Sequence, residues 1–343
     1  VIRPQFALDQ LVQGAGRLEG HIDLSRVIAA GHSFGGATAV AAGRDSRIAA
    51  VANIDGTPYG ELPVLQRPFL LLQSDYAVTG HWARLAYEEA RRVGGARAAC
   101  DTAGPDGQYT RIPKPEELLI DPKAAYLHIT TNNTIFGTQW PALPDTKGVP
   151  LVADMCSDIL SRPMDAAKFA LIYAGTQKNL GPAGLALIAV DRDWLKTARA
   201  ALPDILSYAV HLEARSIYHT PPTFAVYLVG LQLKWIKDNG GAAGMEKRNR
   251  AKSELLYGAL DRLSGFYTAP AEKRSRSLMN AVFRTPSPAL DDLFCAEAEK
   301  AGMTGMKGHR ATGGMRVSLY NAIELEDVKT LTVFMDAFAK RRG

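Results

Sequence analysis

LVADMCSDILSRPMDAAKFALIYAGTQKNLGPAG (151–184) decides the fold. It belongs to two short apolar runs, VPLVADM (149–155) and AKFALIYAG (167–175), joined by a polar spacer. Both runs are apolar with little alternation, the pattern of parallel strands covered on both faces. The first closes on a carboxylate, Asp154, and the second is followed by TQKN, which carries Lys178. Working outward, AAYLHIT (124–130) reads as a strand ending in the polar turn TTNNT, and GLALIAVD (184–191) as a returning strand. Upstream, IDLSRVIAA (22–30), IAAVANID (48–55) and RPFLLLQSD (67–75) read as apolar strands, the last two ending on Asp55 and Asp75. HWARLAYEEARRVGG (81–95) is an amphipathic helix with a glycine stop. This alternation predicts an α/β fold with a mainly parallel sheet.

The C-terminal part has a different texture. AVYLVGLQLKWIKDN (225–239) is a long helix stopped at Gly240, and MEKRNRAKSELLYGALDRL (245–263) a second one. SLMNAVFRT (277–285) and GMRVSLYN (314–321) read as strands of a smaller α/β domain. DVKTLTVFMDAFAKRR (327–342) is the closing helix, with cations in its last turn where the helix dipole favours them.

Composition narrows the function classes. The 343 residues are 47% hydrophobic and 22% charged, a globular balance. The longest apolar runs are too short to span a bilayer, and no secretory leader is visible, so no membrane partner is expected. The net charge of +5 is mild and its cations are scattered, which argues against nucleic acid and suits a small anionic substrate. Cys100, Cys156 and Cys295 have no metal spacing and imply no disulfide framework, so free thiols in a reducing cytoplasm and no metal site are expected.

GHSFGG (31–36) raises a separate possibility. G-x-S-x-G places a serine on a sharp strand-to-helix turn, with amides able to hold an oxyanion. Together with AVANIDGT (50–57) it resembles a fragment of the α/β-hydrolase fold, in its platelet-activating-factor acetylhydrolase-like and dienelactone-hydrolase-like branch. That resemblance makes Ser33 the nucleophile and Asp55 the triad acid, though Asp55 equally fits a strand-end turn. A triad also needs a histidine base. None follows in the matching context, so Ser33 and Asp55 read as vestigial.

Lys178 carries the stronger signal. A buried amine would have a lowered pKa and could join covalently to an aldehyde. A carboxylate such as Asp154, facing a pyridine nitrogen, keeps that ring protonated and makes pyridoxal phosphate an electron sink. Strand-end polar residues are common, so the pair alone stays open.

Seven stretches carry a family resemblance: YAVTGHWARLAYEEARR (76–92), YLHITTNNTIFGT (126–138), LVADMCSDILSRP (151–163), IYAGTQKNLGPAG (172–184), IYHTPPTFAVYLVGLQLKWIKDNGG (217–241), KGHRATGGMRVSLYNA (307–322) and the terminal RRG. In this order, over about residues 75–343, they resemble the phosphoserine aminotransferases. The resemblance implies a fold type I pyridoxal 5'-phosphate enzyme acting as a cytoplasmic homodimer in serine biosynthesis. The amino group would pass from glutamate to 3-phosphohydroxypyruvate. It makes Lys178 the cofactor-binding and proton-shuttling lysine, and Asp154 the partner of the pyridinium. Trp82 would stack on the ring, Thr134 bond the ring oxygen or phosphate, and Gln177 sit on the phosphate side. His219 and Thr220 match a loop reaching the neighbouring subunit's cofactor; the family is expected to carry Asn-Thr there, which leaves the His219 contact open. Arg316 would clamp the substrate carboxylate, a task suited to a planar guanidinium. His309 and Arg310 would lie at the substrate's phosphate end.

Three parts are therefore expected: a hydrolase-like fragment over 1–74, an incomplete cofactor-binding large domain over 75–240, and a small domain over 241–343. The family's N-terminal arm and glycine-rich phosphate loop would stand where the hydrolase-like residues are, so weak cofactor binding and low turnover are expected. A serine esterase acting through Ser33 and a non-catalytic fusion product are the rival readings.

Overall fold

The computed structural model describes residues 27–32, 48–54, 71–197 and 203–343. Two strands, β1 (Val27–His32) and β2 (Ile48–Ile54), pair in parallel as a sheet of their own. Ser33 and Asp55, the residues that follow them, lie outside the described residues.

The main sheet begins with β3 (Leu71–Val78), followed by helix α1 (His81–Val93) and strand β4 (Gly94–Asp101). It continues with β5 (Leu127–Thr130), β8 (Leu151–Asp154), β9 (Leu171–Gly175) and β10 (Ala186–Val190). The short strands β6 (Asn132–Asn133) and β7 (Thr138–Gln139) form a separate antiparallel pair. The sheet order is β10-β9-β8-β5-β3-β4. All pairings are parallel except β10 with β9, so the mainly parallel sheet expected from the apolar runs is present.

Register explains why those runs are strands. Ile129, Ala153 and Ile172 are aligned across β5, β8 and β9, and all three are buried. With Leu127, Leu151, Ala174, Trp140 and Phe169 they form one apolar core. The other side of the sheet carries Tyr76 of β3, His128 of β5 and Tyr173 of β9; His128 stacks on Tyr76 at 4.9 Å, and its Nε2 lies 2.9 Å from the Tyr173 hydroxyl.

The run read as ending at Asp75 does not end there: β3 continues to Val78. Asp75 is fully buried and accepts from Arg97 Nε at 3.0 Å, Arg97 Nη2 at 2.5 Å and the Asp121 amide at 2.7 Å. The carboxylate thus ties β3 to β4 and to the approach of β5. Its charge-assisted bonds offset the cost of burying it.

Downstream, α2 (Arg192–Leu195) and α3 (Tyr208–Glu213) precede two long helices, α4 (Thr223–Asp238) and α5 (Gly241–Arg262). The smaller unit holds β11 (Asn280–Phe283), α6 (Pro288–Lys300), β12 (Met315–Ser318) and α7 (Leu325–Arg342). β11 and β12 are antiparallel, and α7 packs on α5 over a second core of Leu256, Phe283, Phe294, Met335 and Phe338. Among the described residues no helix is long and apolar enough to cross a membrane. Cys100, Cys156 and Cys295 are free thiols.

Candidate cofactor and substrate site

The candidate residues gather where β3, β8 and β9 end. After β3 the chain turns through Gly80 into α1. A Cβ on Gly80 would stand 2.2 Å from Asn133 Oδ1, so a side chain here would push the buried Asn133 amide out of its place on β6. The turn delivers Trp82 as the second residue of α1. Its indole nitrogen donates to Thr134 Oγ1 at 3.2 Å.

After β9 the chain folds into a tight loop. Leu180 and Gly181 amides donate to the Thr176 carbonyl at 3.1 and 2.8 Å, and the Thr176 hydroxyl donates to the Pro182 carbonyl. This loop holds Lys178 half-buried, with Nζ 5.5 Å from the centre of the Trp82 ring, within cation–π range. Gln177 is also half-buried, folded back toward Gly175, where an added Cβ would meet its Oε1 at 2.5 Å.

Asp154 ends β8. Its Oδ1 accepts from the Cys156 amide at 2.9 Å, and its carbonyl accepts from the Thr131 amide at 3.0 Å. The Cys156 thiol is pushed up by burial and then by the Asp154 charge, while Lys178 pulls it down. The carboxylate and the amine therefore bear on one sulfur, which itself accepts from the Gly175 amide at 3.1 Å. Behind Asp154, burial drives the enclosed His128 imidazole down to about 4.

Next to Trp82, His81 meets the smaller unit. His81 lies edge-on to Trp82 at 5.2 Å and tilted toward His309 at 5.9 Å. Burial lowers His309, followed by His81, Arg316 and Arg310. The loop bearing His309 and Arg310 leads through Gly313 and Gly314, both at φ +65°, into β12 and Arg316. A Cβ on Gly314 would stand 2.7 Å from the Phe283 carbonyl, so the loop can close on β11 only without a side chain there.

Lys178, Trp82 and Thr134 are thus brought together, with Asp154 on the neighbouring strand end and His309, in the field of Arg310 and Arg316, reached from Trp82 through His81. His219 and Thr220 are exposed between α3 and α4; the His219 ring lies 6.2 Å from that of His211, and Nδ1 3.3 Å from the Thr220 carbonyl. Among the described residues no hydrogen bond or ring contact joins either to Lys178, Asp154, Trp82 or Thr134.

Two groups next to the site carry no signal in the sequence. Asn179, beside Lys178, accepts from the Asn321 amide at 3.0 Å and donates to the Ile159 carbonyl at 2.7 Å. Asn321 donates to the Leu160 carbonyl at 3.2 Å and accepts from Asn249 at 2.8 Å; Asn249 Nδ2 also lies 3.0 Å from the Ser161 carbonyl. Asp158, fully enclosed, accepts from Thr131 and, at 3.0 Å, from Gln139, and burial raises its pKa. Buried asparagines and a buried acid look like loop residues until their partners are placed. Among the described residues no group of three or more His, Cys, Asp or Glu could hold a metal ion.

The donor set fits pyridoxal phosphate on its ring side. An amine faces an indole, a hydroxyl fixes that indole, and a carboxylate is held at the adjacent strand end.

The class-V aminotransferase model matches residues 73–331. The phosphoserine aminotransferase of Herpetosiphon aurantiacus is 47% identical over 270 residues, 79% of this chain and 74% of that protein. Among solved structures, the phosphoserine aminotransferase from Bacillus circulans subsp. alkalophilus superposes with a TM-score of 0.76 at 43% identity, covering 79% of this chain and 74% of that one. The pyridoxal-phosphate-bound phosphoserine aminotransferase of Trichomonas vaginalis gives a TM-score of 0.72 at 31% identity, covering 77% and 75%.

Proposed function

The chain belongs to the class-V aminotransferase family, and from that premise we propose that it is a phosphoserine transaminase. It moves the amino group of glutamate to 3-phosphohydroxypyruvate and releases O-phosphoserine, using pyridoxal 5'-phosphate. The observation that carries this reading is the Lys178 amine standing 5.5 Å over the Trp82 ring, within a chain 47% identical to such an enzyme.

When bound, the cofactor supplies an aldehyde and a protonated ring that draws electrons from the substrate's Cα. The rest falls to the chain's own side chains. Lys178 Nζ is the attachment point and carries the proton at substrate Cα. Asp154, its Oδ1 fixed by the Cys156 amide, holds the ring nitrogen cationic. Trp82 borders the ring and Thr134 keeps the indole in place. Gln177 serves the phosphate side. Arg316 takes the substrate carboxylate as a bidentate cation, and His309 and Arg310 take its phosphate end.

The assembly we infer is a cytoplasmic homodimer, with His219 and Thr220 serving the partner's site. An exposed apolar face runs beside them: Ile217, Phe224 and Tyr227 are 69%, 71% and 61% exposed. Large contiguous apolar surface marks an interaction site. The hydrolase-like unit of this reading covers residues 1–74, of which Leu71–Ser74 already belong to β3 of the main sheet. In support, β1 and β2 run parallel over Val27–His32 and Ile48–Ile54, the order a nucleophile strand and an acid strand would take. Because that sequence stands where the family's phosphate loop is expected, turnover is set below that of the relatives.

The deciding experiment incubates purified chain with pyridoxal phosphate, glutamate and 3-phosphohydroxypyruvate. O-phosphoserine and 2-oxoglutarate form in equal amounts, and Lys178→Ala forms neither. A product-free parent would overturn the reading. Labelling of Ser33 by a fluorophosphonate would instead favour an esterase.

A further inference from the structure

His81 has no task in the scheme above, yet it occupies a defined place. It opens α1, touches the edge of Trp82 at 5.2 Å and faces His309 at 5.9 Å. Its imidazole therefore stands between the indole beside Lys178 and the loop of His309 and Arg310. Both rings are half-buried.

Their electrostatic setting is lopsided. Burial holds both imidazoles below the ordinary histidine range. His81 is pulled back up by Glu88, on its own helix, and down by Arg310, from the facing loop. His309 feels His81, Arg316 and Arg310, all lowering it. No acidic residue lies in the first turn of α1. Two guanidinium groups and two imidazoles biased toward their neutral form thus share one corner, and the carboxylate bearing on it, Glu88, acts on His81. A dianion entering this corner cancels the guanidinium field and shifts the imidazoles toward their charged form. Each imidazolium then donates a charge-assisted hydrogen bond.

We propose that His81 joins His309 in gripping the dianionic end group of the substrate, and that the pair takes up a proton as that group binds. The proposal rests on the aminotransferase reading, in which Arg316 holds the carboxylate at the other end. It makes His81 a specificity residue, selecting substrates with a doubly charged tail over those with an apolar or singly charged one. Uptake is greatest at pH values between the free and the anion-bound pKa of the pair. Above the bound value the rings stay neutral, and the dianion binds more weakly.

Sulfate is a suitable probe because it stays doubly charged across the neutral range, so any proton change belongs to the protein. Isothermal titration of the full, cofactor-loaded chain near neutral pH, in two buffers of different ionisation enthalpy, measures affinity and proton uptake together. Sulfate binds the parent with net uptake. His81→Gln and His81→Ser, shown to be folded by circular dichroism, bind it about tenfold more weakly and lose much of the uptake. Failure of the parent to bind sulfate, binding without uptake, or unchanged affinity and uptake in both variants would overturn the proposal. Cofactor colour lost on Lys178→Ala reports the underlying reading separately. A coloured, product-forming parent with no His81-dependent sulfate binding fails this proposal alone. A colourless parent with His81-dependent uptake supports the anion site and fails the transaminase.

Discussion

The Lys178 amine and the Trp82 indole face each other with 5.5 Å between Nζ and the ring centre, and Thr134 fixes the indole through a 3.2 Å bond. On the proposed reading, a flat cofactor bound at Lys178 would border that indole. Trp82→Ala is expected to weaken pyridoxal phosphate binding by about tenfold, the scale of one lost aromatic contact together with its buried area. Trp82→Phe keeps the ring face but loses the bond to Thr134, and falls between the two. Cofactor titration followed by visible absorbance checks the order: parent, Phe, Ala.

Asn321 links the loop of Lys178 to the strand that bears Arg316. Its side chain makes two buried hydrogen bonds, to the Leu160 carbonyl and from Asn249. Leu160 itself sits at φ +56°, a strained position for a residue with a Cβ. Asn321→Ala strands these partners and is expected to cost about 2–3 kcal/mol. The urea midpoint falls with an unchanged slope if the cost is purely to stability.

Asp75 is the buried anchor of the sheet. Asp75→Ala removes all three of its bonds and leaves Arg97 without its carboxylate, at an expected cost of about 3 kcal/mol. Asp75→Asn retains part of the set and should lose less. Chemical denaturation of both variants tests the ranking.

Lys252 gives the protein a pH signature. It is 1% exposed, and its Nζ donates to the Leu319 and Tyr320 carbonyls at 2.9 and 2.8 Å. Burial, then Arg248, lowers it from 10.5 to about 8. Between those values the unfolded chain holds a proton that the folded chain has released, so this group's contribution to stability rises with pH across that window. The stability of the parent relative to Lys252→Met therefore increases from pH 8 to pH 10. A flat or falling difference in denaturation midpoints would contradict the assignment.

The central strands were legible because burial on both faces leaves an unbroken apolar run, as in Leu151–Ala153 and Leu171–Ala174. β4 was not, because an edge strand of small and charged residues, GGARAACD, has neither alternation nor continuous apolarity. α6 carries only terminal signals, the Ser287 cap and Pro288 in its first turn. Within the site, Lys178 and Asp154 stood out by their place after apolar strands, and Trp82 and Arg316 only by family resemblance. Contacts such as Trp82 with Thr134, His81 with His309, and Asn179 with Asn321 join residues far apart in the chain. No local period encodes them.

β3 runs parallel to its neighbours, so the polypeptide arrives at Leu71 on one rim of the sheet, while Asp154, Lys178 and Trp82 follow strand ends on the opposite rim. Eight residues of extended chain separate the two rims by roughly 25 Å. The described chain thus enters the sheet on the rim away from the candidate residues, so on the proposed reading a change of sequence upstream of Leu71 would leave unbroken the strands that carry Asp154 and precede Lys178.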